Sequence, residues 1–491
     1  MDYVLGIDIG TTGCKATVFE KTGKIIKQSY REYPMVTYTG TIDPENVWDM
    51  ACEAVKECTR IQPIIKAICV TSFGESVVLI DDKKEVLCDS ILYTDGGAVK
   101  EWKELDQKLG EEEIYRITGH ISHPMYTINR LLWYKKQRPE LYQKTEKFLF
   151  FSSFIIMKLG GRYVAENTQA ARSMSYDVMH GCWSNEVLEA AKIDGTKLPE
   201  VVSAGEFIGM VSELAAKILG FQNIPQIIAG GQDQPCVALG MGAIQGGDAV
   251  YGLGTVECLS VVLDQYQQSE EMKKSHLVCA PHVIPGKYLT YGVLYSGGNV
   301  IKELRNRLYA VEQMNGEKQE VYDIIFQELA QKETDVIFIP HLYGAGTPSM
   351  NQQEAGTLWG LRAETERGEI IRAAVEGLSF DMKENIENME KAGISVGHIR
   401  AAGGGAKSAA AMSLRADILD KDIFLPENVQ AGTRGVFYIV AKTLGWIRDD
   451  TQISNFQTNE GRWIKPHSDS EKIYHKKYKK YLRLKCLMED R

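Results

Sequence analysis

The sequence predicts an α/β protein with two domains of similar plan, each a mixed sheet covered by helices. Three observations carry this. The first part of the chain reads strand, strand, strand, helix, strand, an order that makes a mixed sheet. A similar order begins again near residue 248. Between the two lies a glycine-rich stretch, residues 240–247, which divides the chain into 1–244 and 245–491. At 491 residues the chain has the length for two ordinary domains.

The elements follow in order. Residues 3–8 form the first expected strand and end in a glycine turn. Residues 15–20 and 24–30 are the next two, joined by the hairpin turn Lys21-Thr22-Gly23. Asp43 is a suitable N-cap and Pro44 suits a first turn. Val47, Met50, Ala51, Ala54, Val55 and Cys58 then share one helical face. Residues 64–71 read as a buried strand. Residues 100–230 are mostly helical in pattern and read as insertions and crossovers. In the second half, strands are expected at 248–253, 256–262 and 287–294, a helix at 299–309 and a strand at 335–339. A long helix is expected at 366–391, with Ile370, Ile371, Ala374, Val375 and Leu378 on one stripe. Another is expected at 408–419, ahead of a short strand at 422–425. A surface helix at 470–488 is expected to pack through Tyr474, Tyr478, Tyr481 and Leu482.

Composition bounds the function. The chain is 44% hydrophobic and 25% charged, the balance of a soluble globular protein. A net charge of −9 and a pI near 5.7 argue against a nucleic-acid partner. The basic run His475–Lys480 reads as a solvated helix face. No secretory leader is expected, since Met1-Asp2-Tyr3 runs straight into a strand. No apolar stretch approaches the ~18 residues that would span a bilayer. The ten cysteines are scattered without a CxxC pair and read as reduced thiols of a cytoplasmic protein. Cys14 and Cys236 read as packed core thiols. A homodimer is compatible with the sequence, which carries no signal for or against one.

Two acid-bearing glycine turns carry the chemistry. In Gly6-Ile7-Asp8-Ile9-Gly10-Thr11-Thr12-Gly13, Gly10 and Gly13 let backbone N–H groups approach a phosphate closely. Thr11 and Thr12 add hydroxyl donors, and Lys15 adds positive charge. Asp8 ends a buried strand and is placed to hold Mg²⁺ through water, since Mg²⁺ dehydrates reluctantly. The bland alternative is a hairpin with an incidental Asp. The turn is neither GxxxxGK[ST] nor GxGxxG. The second turn is Gly230-Gly231-Gln232-Asp233-Gln234, after a strand at 227–231. An alcohol becomes a competent nucleophile when a base takes its proton. Asp233 is the candidate base, and Gln234 the candidate to orient a hydroxyl. The bland reading makes Asp233 the N-cap of a helix at 235–241.

Three further turns fit a nucleotide. Gly252-Leu253-Gly254-Thr255 reads as a second phosphate clamp, or as an ordinary β-turn. Gly403-Gly404-Gly405-Ala406-Lys407-Ser408 precedes a helix, and such a loop lets a flat base or ribose lie against backbone. Ser296-Gly297-Gly298 is a weaker case of the same kind. Together the turns point to a nucleoside triphosphate gripped from two sides beside a carboxylate.

These residues resemble the FGGY family of carbohydrate kinases, which includes xylulokinases, glycerol kinases and gluconokinases. The most specific piece is Gly356-Thr357-Leu358-Trp359-Gly360-Leu361 with the helix segment Glu369–Glu376, which fits the family's C-terminal signature. The other signature, at residues 125–137, is nearly met, with Arg130 where lysine is usual and Tyr134 where an aliphatic is usual. The resemblance implies two actin-like (ribonuclease-H-like) domains around a deep cleft, with ATP mainly on the C-terminal domain and sugar on the N-terminal one. It implies Asp233 as base and Asp8 and Asp233 facing Mg²⁺. Gly10, Thr11, Thr12, Lys15, Gly254, Thr255, Gly298, Lys302, Gly404, Gly405 and Ser408 would surround the nucleotide.

The acceptor side departs from the family. Ser72-Phe73-Gly74-Glu75-Ser76 stands where xylulokinases often have GQMHG and glycerol kinases NQRET. Glu75 matches the glutamate, but the arginine before it is replaced by Gly74. Tyr93-Thr94-Asp95-Gly96-Gly97-Ala98 keeps the acid of WNDTRA and loses the arginine. Glu75, Asp95, Asp233 and Gln234 are therefore the expected acceptor ligands. The expected reaction is phosphorylation of a primary hydroxyl of a small sugar or polyol, a ketopentose such as xylulose first. A polyol or aldonate kinase of the glycerol or gluconate type is the alternative. Two other classes share part of the pattern. An actin- or Hsp70-type ATPase clamp has no need of the Asp233-Gln234 pair. A silent sugar sensor has no need of Asp8 and Asp233. Gln430-Ala431-Gly432-Thr433-Arg434-Gly435 differs from the family's common EAGALGAA, and Arg434 has no assigned role.

Overall fold

A computed structural model describes residues 2–34, 40–315, 318–331, 333–427, 430–453 and 461–489. Its first sheet has six strands in the order Phe207–Met210, Gln226–Gln232, Ile65–Ser72, Tyr3–Ile9, Gly13–Glu20, Ile25–Glu32. The central three run parallel and the flanking ones antiparallel. The expected hairpin is present, with Gly23 at φ 85° supplying the left-handed residue of its turn. Helix Pro44–Thr59 is capped by Asp43, whose carboxylate accepts from the Glu45 N–H at 2.9 Å. The sequence pattern gave no sign of the edge strand Phe207–Met210 within residues 100–230, because its burial is interrupted and Phe207 is exposed.

The second sheet has seven strands, in the order Ala280–Pro281, Tyr288–Leu294, Glu257–Leu263, Ala249–Leu253, Ile399–Ala402, Ile423–Pro426, Gly461–Ile464. The expected recurrence needs one correction. A strand exists at Ile337–Ile339, but among the described residues it pairs only with Thr357–Trp359, outside this sheet. Its place in the plan belongs to Ile399–Ala402, parallel to Ala249–Leu253. The crossover helix is Arg367–Lys391, not Gly298–Leu308; Leu378, Met382 and Ile386 pack into the core beneath the sheet. A long insertion separates the third strand from that crossover. Local periodicity cannot show which of several helices returns the chain to a sheet.

Helix Ala431–Thr443 lies in sequence between two strands of the second sheet, Ile423–Pro426 and Gly461–Ile464, but packs on the first sheet. Val436, Phe437, Ile439 and Val440 join Val4, Phe19, Cys69, Ile228, Cys236 and Leu239 in one buried cluster. Burying one side chain such as Phe437 contributes roughly 1.5–3 kcal/mol. This helix crosses Asp233–Gly240 at backbone contact. A Cβ on Gly435 would lie 1.9 Å from the Cys236 carbonyl oxygen, and one on Gly240 would lie 1.8 Å from that of Ala431. The two halves of the chain therefore meet through two helices that only glycine lets touch.

The C-terminal helix Ser470–Glu489 docks as expected through Tyr474, Tyr478 and Tyr481, which surround Phe380. From the basic run, Lys477 pairs with Glu376 and Lys480 lies 3.9 Å over the Trp359 ring. All ten cysteines are free thiols. Among the described residues no helix is long and apolar enough to cross a membrane.

Candidate active site

Strand register builds the site. In the first sheet Ile9 pairs with Ser72, and Ser72 pairs with Gln232. The turns Gly10–Thr12, Phe73–Glu75 and Gln232–Gln234 thus leave the same edge of the sheet, the carboxyl end of its parallel strands, where open α/β sheets place ligands. The second sheet repeats this, with Gly252 beside Ala402. The Gly254-Thr255 turn and the Gly403–Lys407 loop leave that edge together.

Asp233 is the first residue of helix Asp233–Gly240 and not its cap. Gln232 is the N-cap; its side-chain oxygen accepts from the Gln234 N–H at 3.1 Å, and its amide nitrogen donates to Asp233 Oδ1. The turn is held from below. The Gln232 N–H donates to Thr168 Oγ1 at 2.8 Å, and the Thr168 hydroxyl donates to Glu166. Asp233 itself is half-buried. Burial, then the charges of Asp8 and Glu75, push its carboxyl up to about 7. That value suits a base working near neutral pH. Asp8 is also raised by burial, against the pull of Lys15, its cross-strand neighbour. Gly432 lets Asp8 lie against the first turn of helix Ala431–Thr443, since a Cβ there would stand 2.6 Å from Asp8 Oδ2. The glycines of the Gln430–Gly435 motif thus have separate tasks, one at Asp8 and one at the helix crossing.

Glu75 is 4% exposed and has φ 64°, a conformation rare outside glycine. It is over-determined. Thr127 Oγ1 donates to its carbonyl at 2.6 Å, and its carboxylate pairs with Arg172. Arg172 follows helix Asn167–Ala171 and fills the space beside Gly74; a Cβ there would meet Arg172 Cγ at 2.8 Å. An arginine therefore stands next to Glu75 after all, delivered from another segment. Its guanidinium lies 5.3 Å over the Tyr126 ring. Although burial works against its charge, Glu75 keeps Arg172 firmly protonated. Arg172 also acts electrostatically on Asp233, on Tyr93, and on Tyr291 and Cys258 of the second domain. Asp95 belongs to an adjoining cluster. It accepts from the Gly97 N–H at 2.7 Å and faces buried Arg130, whose Nη2 donates to the Asp95 carbonyl at 2.7 Å. Arg130 lies within electrostatic reach of both Asp95 and Glu75.

On the second domain Gly254, Gly298 and Gly403 close upon one another. The Gly298 N–H donates to the Gly254 carbonyl at 2.9 Å, and a Cβ on Gly403 would lie 2.6 Å from the Leu253 carbonyl oxygen. Thr255 accepts from the Asn299 N–H through its carbonyl. Lys302 is exposed, one turn into helix Gly298–Leu308. A cavity of about 920 Å³ opens beside this cluster, walled by Gly403, Gly404, Ala406, Lys407, Leu425, Pro426, Gln430 and Arg462. Gly405 packs against Leu253, and Ser408 caps helix Ala409–Leu419 by accepting from the Ala411 N–H.

Comparison with known proteins decides the family. Residues 3–240 match the N-terminal domain and residues 249–444 the C-terminal domain of the FGGY family of carbohydrate kinases. The chain belongs to the FGGY family. It is a carbohydrate kinase, a phosphotransferase acting on a sugar or polyol. Xylulose kinase of Bacillus subtilis is 26% identical over 453 residues, 91% of this chain and 89% of that protein. Gluconokinase of the same organism is 25% identical over 500 residues, 99% of this chain and 96% of that protein. The crystal structure of ligand-bound xylulose kinase from Lactobacillus acidophilus superposes with a TM-score of 0.90 at 25% identity, covering 100% of this chain and 99% of that one. The fold is thus the two-domain actin-like fold of these kinases.

In this FGGY kinase, sequence reasoning missed Arg172, Tyr126, Tyr291 and Arg462. Arg172 sits among small residues, Ala170, Ala171 and Ser173, with no motif to mark it. Arg462 lies beyond residue 444, where the family match ends. Tyr93 and Gln430 stood inside quoted motifs, but only the fold shows them facing the site.

Proposed function

We propose that this kinase transfers the terminal phosphoryl group of ATP to a primary hydroxyl of a small sugar or polyol, with a ketopentose such as xylulose as first choice. Residues 1–244 supply the acceptor site and residues 245–491 most of the nucleotide site. The observation that carries the reading is Asp233, raised to about 7 at a strand's end beside Asp8 and Glu75. The xylulose kinases among its relatives support the ketopentose.

Asp233 takes the acceptor proton as the acceptor oxygen bonds to phosphorus and the bond to the leaving oxygen of ADP breaks. Gln232 fixes Asp233 in place, and Gln234 orients the hydroxyl beside it. Gly10, Thr11 and Thr12 face the transferring phosphate from one side, and Gly254, Thr255 and Gly298 from the other. Lys15 and Lys302 add positive charge. Gly404, Gly405 and Ser408 line the loop at the nucleoside end. Among the described residues no group of three or more His, Cys, Asp or Glu forms a ready-made metal cage. The pair Asp8 and Asp233 nevertheless fits Mg²⁺, which keeps several waters and takes one or two carboxylates with substrate phosphates. When bound, Mg²⁺ would neutralise charge on the phosphate oxygens.

The test is ADP release measured over a panel of sugars and polyols, with Asp233→Asn alongside. The variant is expected to lose ~10²–10⁴-fold or more in turnover while ATP and acceptor still raise its melting temperature. Undiminished turnover removes Asp233 from the chemistry. ADP release that ignores the acceptor marks an ATPase clamp, and acceptor binding without ADP marks a sensor.

A further inference from the structure

The relatives of this kinase include proteins named for a neutral ketose and for an aldonate. These acceptors differ by one full negative charge. We infer that the Glu75–Arg172 pair selects a neutral polyhydroxy acceptor and rejects a carboxylate. The inference rests on the reading of Asp233 as the base of an acceptor site.

The first argument is charge. Arg172 is the cation acting on Asp233, and Glu75 already compensates it. Arg130 faces Asp95, and Lys15 faces Asp8. Buried His120 and half-buried His123, which lie within reach of Arg172, are held neutral by desolvation first and by its charge second, His123 down at about 4. Around Asp233 the carboxylates of Asp8 and Glu75 therefore meet one guanidinium already in a salt bridge. An incoming carboxylate finds no uncompensated cation among these groups.

The second argument is hydrogen-bond matching. Arg172 Nε and Nη2 both address Glu75 Oε1. Among the described residues Glu75 Oε2 and Arg172 Nη1 have no hydrogen-bond partner in the protein, so the pair offers an acceptor oxygen beside guanidinium N–H donors. A hydroxyl both donates and accepts, and matches such a pair. A carboxylate only accepts, and would set its oxygens against Glu75 Oε2. A buried polar pair built for hydroxyls discriminates strongly, because a mismatch leaves its members unsatisfied.

The third argument is construction. Gly74 removes the side chain that would exclude Arg172, and the Thr127 hydroxyl pins the Glu75 carbonyl. The left-handed backbone at Glu75 is held by these contacts and by the ion pair. The pair is a built feature of the site, assembled from three separate segments.

The experiment compares kcat/KM for a ketopentose, a pentitol and a pentonate in the wild-type enzyme and in Glu75→Gln. The wild type is expected to favour the neutral acceptors over the pentonate by roughly 10–100-fold, the scale on which one unmatched charged contact discriminates. Glu75→Gln frees the Arg172 charge, and the ratio is expected to move at least about tenfold toward the pentonate. A wild-type preference for the pentonate overturns the inference and leaves the kinase reading standing. An unchanged ratio in a folded Glu75→Gln also overturns it. If that variant does not fold, the wild-type ratio decides alone, with competition by unreactive pentonate as the second readout. Wild-type enzyme that phosphorylates none of the three sinks this inference together with the reading beneath it.

Discussion

Gly435→Ala is the most exacting test of how the two halves of the enzyme are joined. The added methyl would stand 1.9 Å from the Cys236 carbonyl oxygen and 2.7 Å from its carbon, where ordinary contact begins near 3.4 Å. Both partners are backbone in the middle of helices, so neither can swing aside as a flexible side chain would. Helices Asp233–Gly240 and Ala431–Thr443 must part by about 1.5 Å to restore contact distance. Overpacking of this kind costs about 1–3 kcal/mol. The functional effect is expected to be larger than the stability effect. Asp233 opens the first helix, Asp8 lies against the start of the second, and a 1 Å misplacement of reacting groups can cost about 10²-fold. The assay is a thermal melt paired with steady-state ADP release at saturating ATP and acceptor. Gly435→Ala is expected to melt lower and to lose about 10²-fold in kcat. Gly240→Ala, at the same crossing, should act in the same direction and add less than its full effect in the double variant. Unchanged kcat in a folded Gly435→Ala would refute the claim that this crossing positions the base.

Further outcomes are expected. Asp233 must be ionised to accept a proton and its carboxyl lies near 7, so kcat/KM for the acceptor should rise with pH through about 7. Glu75→Gln removes a charge that raises it, so that limb should shift to lower pH, read from the pH–rate profile. Arg462→Ala should raise KM for ATP about two- to fivefold with kcat nearly unchanged, the scale of one exposed charged contact at the cavity wall. Burial pushes Asp381 up, but Lys485 and His341 outweigh it and hold its carboxyl well below the usual range. Its contribution to stability is therefore present above the ordinary Asp value and is lost as pH falls through the lowered one. Asp381→Asn leaves Lys485 and His341 without that counter-charge and should cost about 3–5 kcal/mol, with protease cleavage ahead of helix Ser470–Glu489 as the readout.

Three strands of the first sheet, Tyr3–Ile9, Gly13–Glu20 and Ile25–Glu32, were legible because they are short, close in sequence and separated by turn residues. Tyr3–Ile9 and Gly13–Glu20 touch through a turn the sequence spells out. The second sheet was less legible. Ile337–Ile339 has strand composition, yet it pairs with nearby Thr357–Trp359, and its expected place in the sheet goes to Ile399–Ala402, farther along the chain. Asp233 was recognisable as a carboxylate at a strand's end, but whether it capped its helix was open. The Gln232 side chain took that task, and local sequence does not fix which of two polar neighbours will do so.

The chain's own order of residues determined the glycine turns, the acids they carry and the repeated strand pattern. These are local properties, set by backbone conformation and by spacing along a few residues. Tertiary structure decided that Arg172 stands beside Glu75, that Gly432 and Gly435 serve different neighbours, and that Asp233 is raised toward neutrality. Each of these is a contact or a field between segments distant in the chain. Burial and Coulomb interactions depend on separation in space, and the fold alone sets that separation.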